Sequence, residues 1–268
     1  MATDRPAPPG VDTSTPNVAR MWDYYLGGKD NFAADREAAE RVLTMVPELR
    51  IAARAHREFL TRVVQRLTAA GIRQFIDIGS GLPTQGNVHE IAQAQDPEAR
   101  VIYADYDPVV CAHGRALLEQ SDGVAVVQAD LRHPDEILDD PDVRSLIDFN
   151  QPVAVLLVAI VHFLTDEDDP AAIIGRFRDA MASGSYLALT HGTAESMPNR
   201  DLGVETILNV YNRSTAPLIG RSREEIMRLF DGLELIDPGL VWLIEWGAPE
   251  PVEQPERSLT YAGVGRKP

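Results

Sequence analysis

From residue 72 onwards, short apolar segments alternate with stretches of helical character. The apolar segments are "RQFIDI", "RVIYAD", "VAVVQAD", "PVAVLLVAIVHF" and "SYLALTH", and helical stretches such as "PVVCAHGRALLEQ" and "PAAIIGRFRDAM" lie between them. Strand–helix units at this spacing form parallel sheets with right-handed crossovers and helices on both faces. The fourth segment is apolar throughout, as a strand in the middle of such a sheet requires. The alternation therefore predicts an α/β fold of the Rossmann-like, doubly wound kind.

The end of the chain departs from this alternation. Two strand-like segments, "LELIDPGLVWLIEW" and "LTYAGVG", are joined by the loop "GAPEPVEQPERS". Strands joined in this way can pair antiparallel, which predicts a C-terminal antiparallel hairpin and a mostly parallel, seven-stranded sheet over residues 72–268. Trp242 and Trp246 are four residues apart in the first segment, so we expect both on one strand face, covering the sheet edge.

The chain before residue 72 shows helical signals only. Residues 1–14 are rich in Pro, Ala, Asp and Thr and are expected to form a disordered tail. Thr15 and Pro16 resemble a helix cap followed by proline in the first turn. Apolar residues then recur at spacings of three and four, with stops at Gly27-Gly28, before Pro47 and at Gly71. Residues 15–71 are therefore interpreted as three helices that form an N-terminal cap or lid.

The charge balance limits the classes of partner. The chain has 41 acidic and 25 basic side chains, a formal charge of −16, which repels phosphate backbones and disfavours nucleic acid. Cys111 is the one cysteine, so neither an internal disulfide nor a cysteine-based zinc site is expected, and no metal is predicted. We find no signal-peptide pattern and no apolar run of membrane-spanning length. A cytoplasmic protein without membrane contact is expected, and a homodimer is left open.

A glycine turn follows the first predicted strand in "FIDIGSGLPTQGN". The strand ends at Ile78, so Gly79, Ser80 and Gly81 lie at its carboxyl end, where open α/β sheets bind their ligands. Glycine permits positive φ and a close approach of a ligand to the backbone. A dinucleotide fingerprint would need a third glycine at position 84, which is Thr84. Pyrophosphate binding is therefore disfavoured, and an NAD-dependent oxidoreductase is the least favoured function.

An aspartate ends each of the first three predicted strands. A ligand without phosphate, S-adenosylmethionine, suits these positions: Asp77 can face its cationic amino-acid tail, and Asp105 can accept hydrogen bonds from both ribose hydroxyls. Tyr106, which follows Asp105, is included in this cofactor site. Asp130 could accept from the adenine amino group while the backbone of Leu131 contacts the ring. The alternative for Asp130 is that it caps a turn.

These motifs resemble those of the class I methyltransferases, and more closely those of an actinobacterial family of S-adenosylmethionine methyltransferases. The segments that carry the resemblance are "ARMWDYYLGGKDNFAADR", "FIDIGSGLPTQGNVHE", "YADYDP", "LLVAIVHFL" and "LELIDPGLV", and it covers residues 15–268. The resemblance implies S-adenosylmethionine as cofactor and S-adenosylhomocysteine as product, but it names no acceptor. After the fourth strand the chain reads "VAIVHFLTDED" and lacks the Asn-Pro-Pro motif typical of amino-group methylation.

Histidines at strand ends are the candidates for a general base, which is needed where the acceptor must lose a proton. His162 follows the fourth strand, which we expect beside the first, so it is the candidate catalytic residue; the alternative is a packed, hydrogen-bonded core histidine. His191, at the end of the fifth strand, is expected to order a loop. His56 lies on the inner face of the third helix and is interpreted as a satisfied core residue.

The segment "YYLGGKDN" carries polar and aromatic residues that a plain spacer does not require. Its loop "GGKDN" is predicted to close over the cofactor, with Lys29 or Asn31 reaching the cofactor carboxylate or the acceptor. For Lys29, a solvated surface charge is the alternative. Tyr24 is included as a second candidate catalytic residue.

The sequence thus favours an enzyme that transfers a methyl group from S-adenosylmethionine to a small-molecule acceptor bearing a hydroxyl or carboxyl group. The alternative is a protein that binds S-adenosylmethionine or S-adenosylhomocysteine without catalysis. Identity of the acceptor does not follow from the sequence.

Overall fold

A single mixed sheet organises the chain. The computed structural model describes residues 11–83, 86–195 and 200–268, and in this part eight strands form the sheet in the order β3-β2-β1-β4-β5-β8-β6, with β7 also paired to β8. The strands are β1 (Gln74–Ile78), β2 (Arg100–Asp105), β3 (Val124–Gln128), β4 (Ala154–Leu157), β5 (Tyr186–Gly192), β6 (Glu234–Leu235), β7 (Val241–Trp242) and β8 (Thr260–Arg266). Strands β1 to β5 pair in parallel, and β6, β7 and β5 pair antiparallel with β8. The predicted Rossmann-like, mostly parallel fold with antiparallel C-terminal strands is confirmed.

Helices cover both faces of this sheet. They are α1 (Val18–Tyr25), α2 (Ala33–Met45), α3 (Leu49–Ala69), α4 (Val88–Gln93), α5 (Pro108–Leu117), α6 (Pro134–Leu138), α7 (Pro141–Leu146), α8 (Pro170–Ala180), α9 (Arg200–Tyr211) and α10 (Arg223–Arg228). Because successive strand residues point to opposite faces, Ile76 and Ile78 pack in the apolar cluster of α6, α7, α8 and α10, while Phe75 packs in that of α3, α4 and α5. The reversal of strand order falls between β1 and β4, where the predicted ligand site lies.

The C-terminal part has one strand more than predicted. The segment expected to form one strand over residues 233–246 is split into β6 and β7, because a turn intervenes in which Gly239 has φ +86° and its N–H donates to the Ile236 carbonyl at 2.8 Å. The backbone turns again after Trp242, so the two tryptophans do not share a face. Trp242 stacks on Tyr261 with ring centroids 4.1 Å apart. Trp246 is buried edge-to-face against Phe59, so the prediction that the pair shares one strand face was wrong.

Strand β4 is shorter than its apolar run. The prediction extended it over residues 152–163, but it ends at Leu157. Ala159 then adopts φ +59°, in the left-handed region that costs a side-chain-bearing residue of order 1–3 kcal/mol. Its N–H donates to Thr190 Oγ1 at 2.8 Å, which holds the turn in place. Val161–Phe163 form a 3-10 helix instead of strand.

The N-terminal helices form a third apolar cluster together with α9, a helix that the sequence reading did not assign. The α1 cap is Asn17, not Thr15: its side chain accepts from the N–H groups of Ala19 and Arg20. Asp35 is fully buried and accepts from the N–H of Asn17 at 2.8 Å and from Arg20 Nε at 2.7 Å. These bonds tie α1 to α2 and account for much of the polar character of this segment.

Of the predicted N-terminal tail, residues 1–10 lie outside the described part of the chain. Residues 11–14 are in contact with α1, since the Asp12 carbonyl accepts from Arg20 Nη2 at 3.0 Å. In the described ranges, no helix combines the length and the apolar character needed to cross a membrane.

Candidate functional site

A cavity lies beyond the carboxyl ends of β1, β2 and β4, under the N-terminal helices. It encloses about 910 Å³ of space, including part open to solvent, within the range of about 300–1,000 Å³ typical of small-molecule sites. We call it the strand-end cavity. Its walls come from α1, α3 and the three strand ends, through Asn17, Trp22, Asp23, His56, Arg57, Asp77, Gly79, Ser80, Gly81, Asp105, Tyr106, Asp107, Ile160 and Phe163, among others. Six of the predicted cofactor residues are in this set: Asp77, Gly79, Ser80, Gly81, Asp105 and Tyr106.

Gly79 and Gly81, at the two ends of the glycine turn, are glycines for different physical reasons. Gly79 has φ +71°, and a Cβ there would lie 2.6 Å from the Ile160 side chain, so both backbone conformation and packing require glycine. Gly81 has φ +65°, and its Cβ would meet nothing within 4 Å among the described residues. The Gly81 backbone is thus exposed to the cavity, as close approach of a ligand needs. Thr84, which argued against a dinucleotide, lies outside the described residues.

Asp105 supports the turn and faces the cavity. Its Oδ2 accepts from the Gly81 N–H at 3.0 Å, and its Oδ1 accepts from the Asp107 N–H at 2.9 Å. Burial raises the pKa of this carboxyl to about 6, against the effect of these hydrogen bonds. Each oxygen retains a lone pair, so the group can accept two further hydrogen bonds, as a ribose diol would donate.

Asp77 and Arg57 form the charged corner of the cavity. Asp77 is buried, and desolvation raises its pKa to about 7, although Arg57 acts in the opposite direction. None of the described residues donates a hydrogen bond to the Asp77 carboxylate. Arg57, on α3, donates from Nη2 to the Gly86 carbonyl at 2.7 Å and also lines the cavity. A carboxylate beside a guanidinium matches the ammonium and carboxylate of an amino-acid zwitterion.

Asp130 and Leu131 are placed elsewhere. Asp130 accepts from Nε and Nη2 of Arg132, two residues further along, and from the Arg132 N–H. Partial burial raises the pKa of Asp130, but the hydrogen bonds and charge of Arg132 outweigh it and leave the pKa lowered. Leu131 is buried in the apolar cluster of α6, α7, α8 and α10. Neither residue is part of the described cavity lining, so their role in adenine binding stays a prediction, and the capping alternative describes the observed contacts of Asp130.

The cap loop that follows α1 is folded onto Asp23 rather than into the cavity. Asp23 Oδ2 accepts from Asn31 Nδ2 at 2.8 Å and from the Asp30 N–H at 2.9 Å. A Cβ on Gly28 would lie 1.9 Å from Asp23 Oδ1, so a side chain at that position would displace the Asp23 carboxylate. Asn31 is therefore engaged with Asp23, and the exposed Lys29 is likewise outside the described lining. The loop instead holds the Asp23 side chain at the cavity, and Asp23 was not predicted from the sequence as a site residue.

Tyr24 lies on the far side of α1 from the cavity. Its hydroxyl donates to Glu40 Oε1 at 2.5 Å, and the Arg50 guanidinium lies over its ring at 5.6 Å. The Glu40 contact is the largest cause that raises the pKa of Tyr24. The structure does not bring Tyr24 into contact with the strand-end cavity, so nothing in its surroundings supports the predicted catalytic role.

A second cavity adjoins the first. It encloses about 730 Å³, including space open to solvent, and its lining is mainly apolar: it includes Leu49, Ala52, Val204, Ile207, Leu208, Tyr211, Leu218, Ile219 and Leu259. We call it the apolar cavity. Trp22, His56 and Phe163 line both cavities and form a wall that the two cavities share. His162 lines the apolar cavity but is not in the described lining of the strand-end cavity.

The buried histidines differ in their hydrogen bonds. His162 Nδ1 is 3.5 Å from the Gly192 N–H, a long and weak contact, and burial holds its pKa well below the usual range. His191 Nδ1 donates to the Gly192 carbonyl at 2.8 Å, and its Nε2 accepts from Arg221 Nη1 at 3.0 Å, which fits the predicted role in ordering a loop. His56 Nδ1 is 2.7 Å from the Ala52 carbonyl, whereas its Nε2 is buried without a partner among the described residues. His56 was expected to be fully satisfied, and it is not.

Several residues that line the strand-end cavity come from the N-terminal helices and were not predicted from the sequence. Asn17 both caps α1 and donates from Nδ2 to Asp107 Oδ2 at 2.6 Å, which fixes α1 to the end of β2. Trp22 and Asp23 follow on the same helix, and Arg57 is on α3. One signal was present in the sequence, since the polar Asn17 and Asp23 interrupt a segment rich in apolar and aromatic residues.

The residues of the strand-end cavity fit S-adenosylmethionine. Asp77 and Asp105 are buried carboxyls with raised pKa values, so a cationic ligand or a hydroxyl donor would stabilise their ionised forms. Gly81 leaves open space at the turn, and Arg57 supplies a cation for a carboxylate. The sheet order, the glycine turn and the aspartate at the end of β2 together define a class I methyltransferase that uses S-adenosylmethionine.

Comparison with known families agrees with this class and makes it specific. The chain belongs to the S-adenosyl methyltransferase family, whose profile matches residues 4–268. A candidate methyltransferase from Thermobifida fusca YX is 43% identical, with a TM-score of 0.90, covering 97% of this chain and 98% of that chain. A DUF574 family protein from Streptomyces avermitilis is 41% identical, with a TM-score of 0.90, covering 96% of this chain and 99% of that chain.

More distant structures share the fold alone. An O-methyltransferase family protein from Burkholderia thailandensis is 15% identical, with a TM-score of 0.52, covering 82% of this chain and 58% of that chain. The comparison with curated proteins gave no match. The chain is therefore a methyltransferase with S-adenosylmethionine as cofactor, and its acceptor is the open question.

Proposed function

We propose that this methyltransferase transfers the methyl group to a neutral hydroxyl of a small, mainly apolar molecule bound in the apolar cavity. The observation that carries the proposal is the position of that cavity: it shares the wall of Trp22, His56 and Phe163 with the strand-end cavity. A cofactor in the strand-end cavity and an acceptor in the apolar cavity would meet at this wall, which is the arrangement that an in-line displacement needs.

The composition of the apolar cavity supports a neutral acceptor. No Lys or Arg is found in its described lining, so a carboxylate would lose its hydration there without gaining an ion-pair partner. Its polar side chains include those of His56, His162, Thr193, Tyr211 and Thr260, which can exchange hydrogen bonds with a hydroxyl. Of the two acceptor classes predicted from the sequence, we therefore favour the hydroxyl over the carboxyl. The formal charge of −16 supports the absence of nucleic acid from the proposal.

The residues of the strand-end cavity supply binding and orientation. When bound, S-adenosylmethionine supplies an activated methyl group on a sulfonium sulfur. Asp77 would accept from the ammonium of its amino-acid tail, and Arg57 would pair with the tail carboxylate. Asp105 would accept from the ribose hydroxyls, with the Gly81 backbone against the ligand. Residues of the helices α1 and α3 line the cavity and would reduce the access of water to the reacting groups.

The proposal is tested with labelled methyl donor and two matched acceptor panels. One panel holds phenols and apolar alcohols of increasing size, and the other holds carboxylic acids with the same carbon skeletons. We expect label in ethers and not in methyl esters. Label in esters alone would overturn the preference for a hydroxyl. Tight binding of S-adenosylhomocysteine with no turnover on either panel or on a metabolite extract would favour the non-catalytic alternative.

A cavity-filling variant tests the location of the acceptor. Leu208→Trp fills the apolar cavity, and Leu208 is not in the described lining of the strand-end cavity. We expect turnover to fall roughly a hundredfold or more, since steric exclusion removes the oriented complex, while affinity for S-adenosylhomocysteine stays within about twofold. Leu117→Trp, at a residue that is 61% exposed, is the matched control and should change neither quantity. Unchanged turnover in Leu208→Trp would place the acceptor elsewhere.

A further inference from the structure

We propose that His56, a residue of the helical cap, accepts the proton of the acceptor hydroxyl during methyl transfer. This inference rests on the proposed function and assigns a chemical role within it. His56 lies on α3, is 3% exposed, and lines both the strand-end cavity and the apolar cavity. It is thus at the wall where the donor and acceptor would meet.

A hydrogen bond to the helix backbone fixes the tautomer of His56. Its Nδ1 is 2.7 Å from the Ala52 carbonyl, one helical turn earlier. A carbonyl oxygen can only accept, so Nδ1 carries the hydrogen. In the neutral ring Nε2 is then unprotonated and presents a lone pair. Nε2 is buried and has no partner among the described residues, which leaves an unsatisfied hydrogen-bond acceptor on a side chain that lines both cavities.

The surroundings keep the ring neutral and in place. Burial lowers the pKa of His56 to about 4, so the ring is uncharged at neutral pH and Nε2 is available. The Trp22 ring contacts it edge-to-face, with centroids 5.1 Å apart. A fixed acceptor nitrogen at this wall would receive a hydrogen bond from the hydroxyl and orient the oxygen for the displacement.

The proton balance of the step is favourable despite the lowered basicity. As the oxygen–carbon bond forms with a lone pair of the hydroxyl, the carbon–sulfur bond breaks and its electrons stay on sulfur. The oxygen becomes positively charged, and a protonated ether is a far stronger acid than an imidazolium ion. The hydroxyl hydrogen therefore moves to Nε2, and His56 leaves the step as an imidazolium that later releases the proton to solvent.

The other buried histidines at this end of the sheet are less suited to the role. The contact from the Gly192 N–H to His162 Nδ1 is long, at 3.5 Å, and it favours the tautomer with the hydrogen on Nε2 only weakly. In that tautomer His162 would donate a hydrogen bond from Nε2, and its role as the base stays a prediction from the sequence. His191 has both ring nitrogens engaged, with the Gly192 carbonyl and Arg221. Of these three, His56 is the one with an unengaged acceptor nitrogen among the described contacts.

The first test is spectroscopic and needs no knowledge of the natural acceptor. The wild-type chain, labelled with ¹⁵N-histidine and saturated with S-adenosylhomocysteine, is titrated with phenol and, separately, with benzene, and His56→Gln assigns the signals. We expect the Nδ1–H tautomer for His56 and an upfield shift of its Nε2 resonance with phenol but not with benzene. An Nε2–H tautomer, an equal response to both probes, no response to either, or a response confined to His162 would overturn the proposal.

The second test uses turnover and separates this proposal from the proposed function. With any hydroxyl acceptor that the wild type methylates, His56→Gln should lower kcat by roughly 10²–10⁴-fold, the usual contribution of a general base. Affinity for S-adenosylhomocysteine should stay within about twofold, and the exposed His133→Gln is the control. A kcat loss below about tenfold would overturn the role of His56. If the wild type methylates no hydroxyl, the proposed function fails, and the tautomer measurement still decides the chemistry of His56.

Discussion

Replacement of Asp77 by asparagine should stabilise the ligand-free protein at alkaline pH. Burial raises the pKa of Asp77 from 3.8 to about 7, which corresponds to about 4 kcal/mol disfavouring its ionised form in the folded state. An asparagine side chain cannot ionise and so avoids this penalty, but its buried amide costs about 1–3 kcal/mol if it finds no partner. We therefore expect a net gain of about 1–3 kcal/mol in the free energy of unfolding at pH 8.

The sign of the pH dependence follows from the direction of the pKa change. A carboxyl whose pKa is raised on folding binds more protons in the folded state, so its contribution to stability is lost as pH rises from about 4 to about 7. At pH 5 most of the wild-type penalty is relieved because Asp77 is protonated in the fold. The advantage of the variant should therefore be about 2.5 kcal/mol smaller at pH 5 than at pH 8.

Equilibrium denaturation of both proteins at pH 5 and pH 8, without ligand, measures this difference. Asp231→Asn makes the same change in net charge at an exposed position and should leave the stability difference independent of pH. Asp77→Asn should also weaken S-adenosylhomocysteine binding at pH 8 by roughly tenfold or more, about 1.4 kcal/mol, because the ammonium loses its charged partner. A stability difference between variant and wild type that is equal at the two pH values would refute the reasoning.

Three further predictions concern the walls of the strand-end cavity. Arg57→Met should weaken S-adenosylhomocysteine binding by roughly tenfold but leave 5′-methylthioadenosine binding unchanged, because that compound lacks the carboxylate; calorimetry with both ligands checks this. Asp105→Asn should weaken binding of both compounds, since both carry the ribose, and retention of either affinity would contradict the assigned role. Gly79→Ala should lower the free energy of unfolding by about 2 kcal/mol or more, and Gly81→Ala by about 1 kcal/mol, because a Cβ clashes at the first position and meets open space at the second; equal denaturation midpoints would contradict this. A fourth concerns the helix cap: Asn17→Ala should cost about 1–2 kcal/mol through loss of the α1 cap and of the bond to Asp107, and thermal or chemical denaturation measures it.

The sheet could be predicted from the sequence because the apolar strand segments and their alternation with helices are local signals. The sequence was insufficient where tertiary contacts decide the backbone. The apolar run after β4 reads as strand, but the left-handed Ala159 and its bond to Thr190 convert it into a 3-10 helix. The predicted first strand of the hairpin is divided into β6 and β7 by the turn at Gly239, although strand-like sequence continues on both sides of the turn. Helix α9 was not assigned, and its packing against α2 is a long-range contact.

The same distinction applies to the site. Asp77, Gly81 and Asp105 are brought together because the carboxyl ends of adjacent parallel strands meet at one edge, which a strand prediction already implies. Asp130 follows the same rule in sequence, but a neighbouring arginine engages its carboxylate. The contribution of His56 depends on how α3 docks over the strand ends, and no sequence periodicity encodes which of its ring nitrogens is left unpaired.

Apart from the shared Trp22, His56 and Phe163, the linings of the two cavities consist of different residues. Among the described residues these three alone belong to both linings, while α9 and residues 218–220 supply about half of the rest of the apolar cavity. Substitutions in those segments can change the size and shape of one chamber and leave the other intact. Divergent relatives could thus retain the glycine turn and the strand-end carboxylates while binding quite different acceptors in the adjoining cavity. Similarity at the methyl-donor site is therefore a poor guide to the molecule that each relative methylates.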